Sequence, residues 1–78
     1  MSSISAKEIE QKEWVDQTRF VEILREWVTA LERKQDFTTL IKGESFVIPR
    51  DAASKARFRV EYEIDEGDHE FELTMKWQ

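Results

Sequence analysis

Residues 57–78 alternate with a period of two on either side of a turn signal, and that alternation limits the fold more than anything else in the chain. Phe58, Val60, Tyr62 and Ile64 interleave with Arg57, Arg59, Glu61 and Glu63; after Asp65–Asp68 the pattern resumes as Phe71, Leu73, Met75 and Trp77 against Glu70, Glu72, Thr74 and Lys76. In an extended strand such a period puts the two sets on opposite faces, so an antiparallel hairpin with one apolar and one polar face is expected. Register follows from parity, because a slip of one residue would invert one strand. A turn centred on Glu66 and Gly67 pairs Tyr62 with Phe71, Val60 with Leu73 and Phe58 with Met75. The same register sets Glu63 opposite Glu70 and Glu61 opposite Glu72. Like charges facing each other are mildly unfavourable and call for relief from Arg57, Arg59, a base on a neighbouring strand or a bound cation.

Between Asp16 and Lys34 the period is that of a helix. Phe20, Ile23, Leu24, Trp27, Val28 and Leu31 follow the i, i+3, i+4, i+7, i+8, i+11 series of one face, with charged residues and Thr29 elsewhere. Asp16 can accept from the free amides of the first turn, and Arg33 and Lys34 sit where the helix dipole favours cations. The position three residues after the cap holds Arg19 rather than Glu or Gln, so the cap is single, not reciprocal.

A shorter hairpin is expected from Phe37–Lys42 and Ser45–Ile48 around a tight turn of residues 42–45. Pro49 has no amide hydrogen for a ladder and stops the strand, leaving Arg50–Ala56 as a loop or a single helical turn. The segment Lys7–Trp14 is helix-friendly in composition, yet the cap at Asp16 starts the helix afresh, and a strand is assigned to it. The expected fold is therefore α+β: one amphipathic helix on a four- to five-stranded, mostly antiparallel sheet in the order β-α-β-β-β-β. It forms one domain over residues 6–78 behind a disordered N-terminus of residues 1–5. With 78 residues and no cysteine, stability must come from apolar burial in the chain or against a partner chain.

Charge is uneven. Residues 57–78 hold three bases against seven acids, net −4, while residues 1–56 hold nine against ten, net −1. An acidic last third repels a phosphate backbone or an anionic lipid surface, which argues against nucleic-acid and membrane partners. The start MSSIS lacks the features of a signal peptide, no apolar run approaches the ~20 residues of a membrane helix, and the absence of cysteine fits a reducing compartment. A cytoplasmic protein is expected.

The helix pattern FVEILREWVTAL, the short hairpin ending in VIP and the closing pair FRVEYEI and FELTMKW, whose last apolar residue is Trp77, together resemble the small prokaryotic amphi-Trp domain family over roughly Glu8–Trp77. Trp14, Trp27 and the basic connector with Arg50, Lys55 and Arg57 depart from that pattern. The resemblance implies a domain without active-site residues to carry over.

No constellation of residues supports catalysis or a cofactor. His69, the single histidine, starts the last strand beside Asp68 and Glu70 without a second His, a Cys or a nucleophile, so it is read as a solvated or turn-packing histidine rather than a base or ligand. Glu61, Glu63, Glu70 and Glu72 are weak candidates for a divalent cation, since strand side chains project from one side and leave half the coordination sphere to water. Asp65, Glu66 and Asp68 around Gly67 lack the spacing of an EF-hand, and the turn at Gly43 lacks any phosphate-loop continuation. Trp27 and Trp77 fall on apolar faces as core residues, and Trp14 is the freer one.

A mismatch of areas points to function. A 17-residue helix covers ~25 by 10 Å, less than a sheet of four or five strands at ~4.8 Å spacing, and Leu40 and Val47 add apolar surface on the other face of the first hairpin. An uncovered apolar patch marks an interface. The expectation is a non-enzymatic interaction module, a homodimer or a partner of another protein, docking through apolar sheet surface or an edge strand with Leu40, Val47, Tyr62, Met75 and Trp77 at the contact. The alternative is a binding protein for a small apolar ligand or a divalent cation.

Overall fold

The computed structural model describes residues 8–78, so the assignment of residues 1–5, and Lys7 of the proposed first strand, lie outside the described residues. Helix α1 spans Gln17–Arg33, strands β1 and β2 span Phe37–Ile41 and Glu44–Ile48, a 3₁₀ turn covers Arg50–Ser54, and β3 and β4 span Arg57–Asp65 and Asp68–Lys76. The fold is α+β, as expected, with one α-helix and two two-stranded antiparallel sheets among the described residues.

The helix ends where its caps place them. Asp16 Oδ1 accepts from the Arg19 amide at 2.8 Å, and Lys34 turns into the left-handed region at φ 56°, its amide donating back to the Ala30 carbonyl, which closes the last turn. Within the apolar stripe, Ala30 is buried and Ile23, Leu24, Trp27 and Leu31 are half-buried, whereas Phe20 and Val28 stay exposed. The helix therefore covers part of a sheet with part of its stripe.

What it covers is the first hairpin. Phe37, Thr39, Ile41, Phe46 and Ile48 turn inward, and Phe37 is buried. Phe37 pairs with Ile48 and Ile41 with Glu44 around a two-residue turn, whose Lys42 and Gly43 have φ of 52° and 78°. Two consecutive positive φ values give the turn whose twist matches a hairpin, so Glu44 joins the strand instead of the turn. The chain then stops at Pro49 and coils into the 3₁₀ turn, fixed by Asp36 Oδ1 accepting from the Arg50 amide at 2.8 Å and by Ala52, which is 0% exposed.

Two expectations are corrected. The segment before the helix is not a strand: residues 8–16 have no regular structure. It crosses the first turn with side chains rather than with its backbone, Glu13 Oε1 accepting from the Lys42 amide at 2.8 Å and Gln11 Nε2 donating to Glu44 at 3.0 Å. Nor do the hairpins form one sheet. The 3₁₀ turn Arg50–Ser54 lies between β2 and β3, and the second hairpin pairs only within itself instead of joining the first in the one sheet expected.

The second hairpin has the register derived from parity throughout, from Arg57 opposite Lys76 to Asp65 opposite Asp68. It meets the rest of the fold chiefly at its root, where Met75 joins Trp27, Leu31, Phe37 and Ile48. Among the described residues the buried apolar side chains are Ala30, Phe37 and Ala52 alone, and no large side chain is fully buried.

Candidate functional site

The surface that most needs an explanation is the apolar face of the second hairpin. Phe58, Val60, Tyr62, Ile64, Phe71 and Leu73 lie on it, and all six are exposed, Val60 and Phe71 most of all at 70% and 67%. Both strands run nine residues, about 30 Å, while the helix packs chiefly on β1 and the 3₁₀ turn, which leaves this face uncovered. An isolated two-stranded hairpin is marginally stable in water, and a contiguous apolar face of this kind is rare on a free surface.

His69 also belongs to this face. It stands opposite Ile64, and its Nδ1 and the Tyr62 hydroxyl share a hydrogen bond, with the rings tilted at a 6.0 Å centroid separation. The turn-proximal reading of His69 missed this, although the signal was in the parity: position 69 is in phase with Phe71, Leu73 and Met75. The pairing gives two polar tips a partner within an apolar surface.

The polar face carries the acids. Glu61, Glu63, Glu70 and Glu72 lie together across the ladder, with Arg59 offering relief to Glu61 at 3.8 Å. Repulsion from Glu72, two residues along the same strand, is the chief cause that raises Glu70 above the ordinary carboxylate range; desolvation, Glu63 and Glu61 add to it. Among the described residues no three His, Cys, Asp or Glu side chains lie together in a metal-holding group, and mutual repulsion among the four glutamates is felt at Glu70.

The other sequence candidates fall in two places. Leu40 and Val47 are exposed on the outer face of the first hairpin. Met75 and Trp77 are half-buried at the root of the second, Trp77 beside Lys55 and Arg57, and Tyr62 lies far along its apolar face. Trp27 packs into the core with its indole N–H buried and without an acceptor among the described residues, and Trp14 is fully exposed. The gap lined by Trp27, Leu31, Phe37, Ile48 and Met75 measures about 10 Å³, room for about one water, while a groove of about 390 Å³ runs between the helix and β1 beside Arg25, Glu26, Ala30 and Phe37.

No helix among the described residues is long and apolar enough to cross a membrane. No family model, curated protein or solved structure matches the chain.

Proposed function

We propose that this protein is a non-enzymatic interaction module that self-associates, or docks on a protein partner, through apolar sheet surface. One observation carries the reading: the apolar face of the second hairpin stays open while the single chain buries only Ala30, Phe37 and Ala52 among its described apolar residues. Burial at roughly 25 cal/mol per Å² is the main favourable term in folding and association alike. A chain that leaves its largest apolar face wet gains most by covering it with another molecule. Docking along a strand edge is the second form of the same reading, since both hairpins end in unpaired edges.

The module works in the cytoplasm without a cofactor, and its partners are proteins rather than nucleic acid or membrane, because the net charge of −5 disfavours anionic surfaces. Its likeness to the amphi-Trp domains rests on the helix, the two hairpins and the closing Trp77. Light scattering over a dilution series tests self-association. A mass above 9.4 kDa that falls on dilution is expected, and a constant monomer mass at every concentration leaves heterologous docking as the sole form of the proposal.

A further inference from the structure

Resting on that reading, we propose that the occupant of the second hairpin is the second hairpin of another copy, the two packed apolar face to apolar face about a twofold axis. A twofold contact sets the same patch of both copies against itself, and here that patch is apolar: each copy brings the exposed side chains of Phe58, Val60, Tyr62, Phe71 and Leu73. Face-to-face packing of the pair makes a small sandwich with a core about 10 Å thick.

Area supports a homodimer. At the fractional exposures of the six apolar residues, and with large side chains offering 150–250 Å² each, the face presents roughly 600 Å² per copy. Two copies then bury about 1,200 Å², where stable specific interfaces begin. The helix of a second copy is a poorer cover, since its free apolar residues on the stripe are Phe20 and Val28.

Charge chooses between the two ways in which hairpins associate. Edge-to-edge pairing would continue the polar face as well as the apolar one, setting a second row containing Glu61, Glu63, Glu70 and Glu72 about 4.8 Å from the first. Repulsion has already raised Glu70 within one copy. Face-to-face packing turns the two acidic rows outward with both sheets between them, farther apart than the ~10 Å screening length at 0.1 M salt. The Tyr62–His69 hydrogen bond enters the interface already formed, so neither polar tip is buried without a partner.

The native chain has no cysteine, which makes single-cysteine labelling selective. In Val60→Cys, maleimide labelling is expected to slow as concentration fills the dimer, while Glu63→Cys, on the polar face, keeps one rate throughout. Val60→Glu should abolish the dimer seen by sedimentation, and Val47→Glu and Val28→Glu should retain it. Two outcomes overturn the proposal while sparing self-association: a dimer lost in Val47→Glu or Val28→Glu but kept in Val60→Glu, or a Val60→Cys labelling rate indifferent to concentration in a chain that does dimerise. A wild-type chain that stays monomeric defeats the homodimer outright. The cysteine variant keeps the test valid should Val60→Glu fail to fold.

Discussion

Phe71→Ala separates burial within the chain from burial between chains. The ring is 67% exposed, so of an aromatic surface near 200 Å² about 130 Å² remains in water. Covering all of it is worth about 3 kcal/mol at ~25 cal/mol per Å², and a twofold dimer covers it twice. Allowing half because the alanine and the side chains closing around it recover part of that burial, the substitution weakens dimerisation by about 3 kcal/mol, or roughly a hundredfold in Kd at 1.4 kcal/mol per decade. Within one chain the ring faces Tyr62 across the ladder, and losing a cross-strand pair costs at most about 1 kcal/mol. Sedimentation equilibrium on both proteins measures the first quantity, and urea melts at concentrations below Kd measure the second. Should Kd shift less than about threefold in a folded variant, Phe71 lies outside the interface. A dilute-solution loss near 3 kcal/mol would instead mean that the ring is covered by its own chain.

Two further predictions concern the elements. Asp16→Ala removes the carboxylate that accepts from the Arg19 amide and should destabilise the fold by about 0.5–2 kcal/mol in thermal or urea melts. Glu70→Gln should be more stable than the native chain at neutral pH and low salt, since Glu72 and its neighbours raise the Glu70 pKa in the folded state. A carboxyl with a raised folded pKa favours folding when protonated; that stability is present below the ordinary carboxylate range and lost as pH rises through the raised value. The advantage of Glu70→Gln should therefore shrink as melts are taken into acid, or into high salt, and an advantage independent of both would refute the cause.

What could be read from residues was local. Asp16 and Lys34 delimit the helix because capping is a property of a few neighbours, and the register of the second hairpin follows from parity and Gly67, whose φ of 87° suits a residue without Cβ. The failures were of longer range. The expected single sheet fails where the chain passes from one hairpin to the next: the connector is held by a side chain fourteen residues upstream, Asp36 accepting from the Arg50 amide, and by the burial of Ala52. Nothing in the period of either segment signals that contact. The first strand failed because Gln11 and Glu13 bind through side chains, which composition does not distinguish from backbone pairing. His69 was legible and was masked by its neighbours, Asp68 and Glu70, which face the other way.

In the proposed dimer the two faces of the second hairpin would act on association in different ways. The apolar face supplies the drive, because each exposed residue on it adds area to be covered. The acidic face supplies direction. A hairpin with a neutral polar face could extend edge to edge without limit, since each added copy would present a new unpaired edge. Here every such addition would bring more glutamates alongside the row in which Glu70 is already perturbed by Glu72, Glu63 and Glu61. Face-to-face packing meets no such opposition, and it consumes the apolar surface after one partner. In the proposed dimer, repulsion on one face would thus limit an adhesive strand pair to a contact that closes at two copies. Relieving it by neutralising several glutamates at once should favour larger assemblies over the dimer, with growth measured by light scattering; variants that stay dimeric at every salt concentration would show that the edges are blocked by something other than charge.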